Sequence, residues 1–280
     1  MTPVRGLLEE VLGRAPRSVT ALSGGCVGDV YRARMDDGDL VVKLGQPGSN
    51  LDLEGWMLEI LANSGLPVPE VVHKADDILI MTYIEGGGAL DAGAEQHAAG
   101  LIAALHDHTA ETFGLERDTL IGGLHQPNPQ SESWIPFFRD QRLLYMGREA
   151  LDAGRLPDSV FGRVEALANR LDRWLTEPRP ALIHGDLWGG NVLAQAGRIT
   201  GFVDPAIYYA DPEIELAFST LFNTFGDNFF ARYNEFRPLA PGFFEERRDL
   251  YNLYPLLVHV RLFGGGYVRS VERTLTRFGV

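Results

Sequence analysis

The run Ala181-Leu182-Ile183, followed by His184-Gly185-Asp186-Leu187-Trp188-Gly189-Gly190-Asn191, decides how the rest of the chain is read. Three apolar residues form a short apolar run, and the polar, glycine-bearing octapeptide after it reads as a loop. A simple turn rich in Gly and Asp does not require His, Asp and Asn at fixed offsets. Asp186 can accept and orient the proton of a hydroxyl substrate. The amide oxygen of Asn191 can ligate a metal. Downstream, Gly201-Phe202-Val203-Asp204-Pro205-Ala206 follows a hairpin-like stretch with Gly197 as its turn. That hairpin brings Asp204 back beside Asn191, so two oxygen ligands meet. Mg²⁺ suits such a set, because it takes few protein oxygens and keeps several waters.

Toward the N-terminus, Ser23-Gly24-Gly25-Cys26-Val27-Gly28-Asp29-Val30 lies between two strand-like segments. Set against the kinase pattern G-x-G-x-x-G-x-V, it keeps Gly25, Gly28 and Val30, with Ser23 in place of the first glycine. Small residues let backbone N–H groups approach phosphate oxygens, although a plain glycine hairpin has the same look. Leu40-Val41-Val42-Lys43-Leu44 then sets a lysine among apolar strand residues, a position that ordinarily faces solvent. Glu54 and Glu59 on the following helix are its candidate partners, and an ion pair would aim the ammonium at nucleotide phosphates. The loop from His184 to Asn191 keeps the kinase catalytic spacing H-x-D-L-x-x-x-N. Asp204 stands where a carboxylate bridges Mg²⁺ to the β- and γ-phosphates.

Residues 4–14 read as a short amphipathic helix, and residues 18–22, 29–35 and 39–45 as strands of an antiparallel meander with Asp36-Asp37-Gly38 as a hairpin turn. Over residues 51–63, Leu51, Trp56, Met57, Ile60 and Leu61 fall near one helical stripe, which Gly65 and Pro67 stop. Residues 68–86 read as two more strands. From Ala89 onward helical spacing dominates, over 91–110, 133–152, 158–176 and the chain from Glu213. The fold class is therefore α+β. A small β-rich lobe with one main helix, residues 1–85, precedes a larger, mostly helical lobe, residues 86–280, with 84–89 as the hinge.

Composition narrows the function classes. With 25 Lys plus Arg against 38 Asp plus Glu, the net charge of −13 argues against a nucleic-acid binder, which needs a cationic face. A single cysteine, Cys26, allows no internal disulfide, and the first residues lack the apolar core of a signal peptide. A cytoplasmic protein without membrane spans is the expectation. The 32 glycines exceed the usual ~7% share and cluster at Gly24-Gly25, Gly86 to Gly88, Gly122-Gly123, Gly189-Gly190 and Gly264 to Gly266. These clusters read as loops needing unusual backbone angles. His97, His106 and His108 lie in an ordinary helical pattern and read as satisfied or exposed side chains. Neither H-E-x-x-H nor G-x-S-x-G occurs.

On these residues the chain resembles the protein-kinase-like small-molecule phosphotransferases, the aminoglycoside phosphotransferase and choline kinase group. Within that group it is most similar to the fructosamine kinase, or ketosamine-3-kinase, family. The likeness rests on Ser23 to Cys26, His184 to Asn191, Asp204-Pro205-Ala206 with Tyr208, Tyr209, Asp211 and Glu213, and a tail containing Leu250, Tyr251, Leu253, Tyr254, Leu256 and His259. Phe263, Gly264 and Tyr267 extend it. Gly65-Leu66-Pro67-Val68-Pro69 resembles the strand after the group's ion-pair helix, which favours Glu54 over Glu59 as the partner of Lys43.

The resemblance implies ATP-dependent phosphorylation of the 3-hydroxyl of a ketoamine, a fructosamine, ribulosamine or erythrulosamine adduct, and so a deglycation activity. It implies that Gly24, Gly25, Cys26, Gly28, Lys43 and Glu54 hold the triphosphate and that Met81, Thr82 and Tyr83 offer backbone groups to adenine. Asn191 and Asp204 hold Mg²⁺, Asp186 orients the acceptor hydroxyl, and Trp188 either walls the substrate pocket or packs the lobes. Asp211, Glu213 and Glu215 read as structural anchors. The implied partner is a small ketoamine or a glycated protein. Two departures stand out: Gly189 where many members carry Ser, and Ala210 where Gly is frequent. A kinase of another hydroxylated amine and a catalytically silent nucleotide-binding pseudokinase are the alternative readings.

Overall fold

A computed structural model describes residues 3–22 and 28–280. The chain begins with helix α1 (Pro3–Leu12) and strands β1 (Ser18–Ala21), β2 (Asp29–Arg34) and β3 (Asp39–Leu44). Helix α2 (Leu51–Asn63) and strands β4 (Val71–Ala75) and β5 (Ile78–Thr82) follow. The strands form a five-stranded sheet of order β1-β2-β3-β5-β4, antiparallel at every pairing.

The period of two along β3 explains both faces of this sheet. Leu40 and Val42 join Val4 and Leu8 of α1 in one apolar cluster. Val41 points the other way, into a cluster with Leu51 and Leu58 of α2 and Leu79 and Met81 of β5. Lys43 shares the parity of Val41, so it is carried to the α2 side and buried there rather than left in solvent.

The segment from Tyr83 to Asp91 has no regular structure and leads to helix α3 (Ala92–Leu105). This linker is backed by a hairpin of the second lobe: Gly88 N–H donates to Ala194 O at 2.8 Å and Thr200 Oγ1 to Glu85 O at 2.7 Å. Strands β6 (Thr119–Ile121) and β7 (Leu124–Gln126) form a small hairpin. Helices α4 (Trp134–Phe138) and α5 (Tyr145–Asp152) run into one another through a π-helical turn over Arg139–Leu144, and α6 (Asp158–Ala168) follows.

Strand β8 (Ala181–Ile183) carries the decisive octapeptide at its end. Strands β9 (Val192–Gln195) and β10 (Arg198–Phe202) form the expected hairpin, turning at Ala196 and Gly197, both with positive φ. Strand β11 (Tyr208–Ala210) pairs antiparallel with β8 and leads into helix α7 (Pro212–Leu221). Helices α8 (Asp227–Phe236), α9 (Arg248–Tyr251), α10 (Leu253–Phe263) and α11 (Gly266–Arg277) complete the chain. The fold is thus the expected two-lobed α+β arrangement. The helical segment expected over 91–110 ends earlier, because Thr109 leaves the helix to bridge Ala181 at the edge of β8. No helix among the described residues is long and apolar enough to cross a membrane.

Candidate active site

A cavity of 730 Å³ opens between the sheet and the β8 to β11 region. Lys43, Glu54, Met81, Thr82, Tyr83, Asp186, Trp188, Asn191 and Asp204 all line it, although they come from distant parts of the chain. Gly28 stands at the entry to β2 with φ +77°, where a Cβ would lie 2.3 Å from Leu44 O, so this position tolerates only glycine. Gly24, Gly25 and Cys26 lie outside the described residues.

On the sheet side, Lys43 Nζ donates to Glu54 Oε1 at 2.7 Å and also to Asp204 Oδ1, joining the two lobes. Glu59, the competing partner, instead takes Lys74. Burial works against the Lys43 charge, but Glu54 and Asp204 together hold the ammonium above its ordinary value. Burial likewise pushes Glu54 up, with Lys43 opposing. The N–H groups of Thr82 and Tyr83 are engaged within the sheet region, by Glu70 O and Asp39 O at 2.9 Å each.

On the other side, the octapeptide folds tightly against the Asp204-Pro205-Ala206 segment. Ala206 N–H donates to His184 O at 2.8 Å, and a Cβ at Gly185 would sit 2.0 Å from Ala206 O. Gly185, with φ +83°, is what lets the two loops lie back to back. Asn191, buried, donates from Nδ2 to Asp186 O at 2.9 Å and to Asp186 Oδ2 at 2.8 Å. Desolvation pushes the Asp186 carboxyl up to about 7; the Asn191 bond opposes this and the charges of Asp204 and Glu215 add to it. Asp204 adopts φ +52°, a left-handed conformation that Asp tolerates better than most residues.

Buried side chains behind the loop fix its position. Glu215 Oε2 accepts from Gly185 N–H at 2.8 Å, and its Oε1 accepts from His106 Nε2 at 3.0 Å. Tyr233 O–H in turn donates to His106 Nδ1 at 2.7 Å. Asp211 caps α7 by accepting from Glu213 N–H at 2.9 Å, and Tyr251 O–H donates to its other oxygen at 2.5 Å. His106 is therefore a satisfied core histidine, as its helical context suggested, and Asp211 and Glu215 are anchors. Trp188 is 40% exposed, and its ring meets Phe222 edge-on at 6.4 Å, on the outer side of the cavity. His106 and Tyr233 lie far from the loop along the chain, so no local pattern connects them to it. The β6–β7 hairpin, which also lines the cavity, had a legible signal in Gly122-Gly123 between alternating residues.

Residues 1–278 match the fructosamine kinase family. A Synechocystis sp. protein named as a probable ketoamine kinase is 35% identical over 267 residues, covering 91% of this chain and 88% of that one. The chloroplastic protein-ribulosamine 3-kinase of Arabidopsis thaliana is 31% identical over 268 residues, covering 90% and 79%. A Thermobifida fusca crystal structure assigned as a fructosamine-3-kinase superimposes with a TM-score of 0.87 at 32% identity, covering 99% of both chains. Aminoglycoside phosphotransferase APH(4)-Ia, at 18% identity, shares the fold alone, with a TM-score of 0.70 over 99% of this chain and 98% of that one. The family match over nearly the full length, together with two relatives above 30% identity, establishes that this chain belongs to the fructosamine kinase family.

Proposed function

We propose that the protein transfers the γ-phosphoryl group of ATP to the 3-hydroxyl of a ketoamine, a sugar adduct on an amine, and so promotes breakdown of the adduct. The observation that carries this reading is the convergence of Lys43–Glu54 and Asp186–Asn191 on one cavity in a member of this family. Residues 1–85 are assigned as the nucleotide-binding lobe and residues 86–280 as the catalytic and substrate-binding lobe.

In this reading Lys43, held by Glu54, fixes the phosphates, and Gly24, Gly25, Cys26 and Gly28 bind them as well. Met81, Thr82 and Tyr83 border the adenine. Because the N–H groups of Thr82 and Tyr83 are already engaged, backbone contacts from these two residues to adenine run through their carbonyl oxygens. Asp186 takes the proton of the acceptor hydroxyl as that oxygen forms its bond to the γ-phosphorus and the bond to the β-phosphate oxygen breaks, releasing ADP. The rate gain comes mostly from positioning and charge neutralisation.

The oxygen donors present fit Mg²⁺. Asn191 commits Nδ2 to Asp186, which leaves its Oδ1 as a donor, and Asp204 supplies a carboxylate. Asn191 and Asp204 would hold the ion, and phosphate oxygens and water would supply its remaining ligands. When bound, Mg²⁺ neutralises charge on the phosphates. Asp204→Asn raises the Mg²⁺ concentration needed for half-maximal activity; an unchanged requirement removes Asp204 from the metal site.

The test of function is ATP consumption with fructosamine, ribulosamine and erythrulosamine adducts beside an aminoglycoside, choline and homoserine. Turnover confined to the ketoamines supports the proposal. Preference for another acceptor replaces it, and nucleotide binding without any turnover identifies a pseudokinase.

A further inference from the structure

The β6–β7 hairpin borders the cavity but has no part in the roles above. Its loop is two residues long, since Ile121 pairs directly with Leu124. Gly122 has φ +54° and Gly123 φ +80°, the type I′ turn that fits the twist of antiparallel strands. Asn-Gly is strongly favoured in such a turn, whereas two glycines add conformational entropy to the unfolded chain. The turn itself therefore does not call for glycine at position 122. Gly122 and Gly123 border the cavity that holds Asp186 and Trp188, next to Leu120.

The base of the hairpin is held firmly. Gln126 Nε2 donates to Thr119 Oγ1 at 2.8 Å and to Ala206 O at 3.1 Å, while Tyr254 O–H donates to Gln126 Oε1 at 2.6 Å. Ala206 is the residue against which Gly185 packs, so the hairpin is tied to the same two loops that carry Asp186 and Asp204. The tip rests on the other side against Leu262, whose Cδ1 lies 3.0 Å from where a Gly122 Cβ would be. That contact is with the end of a flexible side chain, which can give way.

We infer that Leu120 and the Gly122-Gly123 turn form an acceptor gauge: the part of the acceptor beyond the reacting hydroxyl packs against this wall, which sets how long a sugar chain is accommodated. The inference rests on the ketoamine reading for the identity of the acceptor, but on geometry for the wall. A bulkier side chain at position 120 fills the space of the outermost carbons, and truncation of Leu120 enlarges it.

The experiment measures kcat/KM of the wild type, Leu120→Phe and Leu120→Ala for erythrulosamine, ribulosamine and fructosamine adducts of one amine. Leu120→Phe lowers the fructosamine-to-erythrulosamine ratio by about tenfold or more, the scale of steric discrimination in a pocket. Leu120→Ala shifts the ratio in the opposite direction, and KM for ATP stays unchanged in both. Should Leu120→Phe not fold, the Leu120→Ala ratio carries the test. Ratios unchanged in the folded variants, or an effect confined to KM for ATP, overturn the gauge. If the wild type ignores all three adducts and accepts another hydroxylated amine, the ketoamine reading fails. The same ratio taken between a long and a short acceptor of that class then decides the gauge.

Discussion

Asn191 donates from one nitrogen to both the backbone carbonyl and the carboxylate of Asp186, at 2.9 and 2.8 Å. The proposed base and the proposed metal ligand are thus locked to each other before any substrate arrives. Asp186→Ala removes the proton acceptor while leaving Lys43 and Glu54 in place. It lowers kcat by about 10²–10⁴-fold with little change in ATP affinity. Steady-state assays paired with calorimetric titration of nucleotide check this; retained turnover removes Asp186 as the base.

The pH profile follows from the same carboxyl. Desolvation raises Asp186 to about 7, and only its unprotonated form accepts the hydroxyl proton. Activity is therefore lost as pH falls through the raised pKa: kcat/KM is level above about pH 7 and drops close to tenfold per unit below it. The limb in kcat lies lower, because cations bound with the nucleotide favour the carboxylate. A kcat/KM flat down to about pH 5 contradicts this assignment.

Lys43 and Glu54 are both largely buried, so each depends on the other. Lys43→Met leaves the Glu54 carboxyl without its main partner and destabilises the fold by about 3 kcal/mol. The double variant Lys43→Met, Glu54→Leu recovers most of that loss yet remains at least ~10²-fold slower with ATP, since the phosphate contact is gone. Denaturant unfolding and kinetics on the three proteins separate the two effects. Equal stability in single and double variants contradicts the pairing.

Gly189 faces an unmet need. Thr224 Oγ1 is buried and has no hydrogen-bond partner among the described residues, and a Cβ at Gly189 would lie 3.8 Å from it with no closer atom among them. Gly189 also lies outside the left-handed region, so a side chain there causes no backbone strain. Gly189→Ser places a hydroxyl within reach of Thr224 and stabilises the protein by about 1 kcal/mol. Thermal unfolding checks this; an unchanged or lower Tm shows that the hydroxyl does not reach.

Much of this was legible in the sequence because local chemistry and spacing agreed. The helix over 51–63 appears with those bounds, and the hairpin turning at Gly197 appears where it was expected. The octapeptide, Asp204 and Lys43 were recognisable one by one, but their meeting depends on long-range packing. The burial of Lys43 required knowing that the Val41 face of β3 is covered by α2. Strand β11 was not foreseen, since Tyr208-Tyr209-Ala210 is too short to show a period and is a strand only because β8 lies beside it. The relay from Tyr233 through His106 to Glu215 likewise joins residues that no local pattern relates.

The central claim is that this cleft phosphorylates a ketoamine on its third carbon, with Asp186 as base. It is tested most directly by incubating the protein with ATP, Mg²⁺ and a ribulosamine or fructosamine adduct and locating the new phosphate by phosphorus and carbon NMR. The expected result is a phosphate ester on O3, its formation lost with Asp186→Ala, and release of the free amine as the product decomposes. A phosphate on any other oxygen, or no ester in a protein that turns over ATP with a different acceptor, contradicts it.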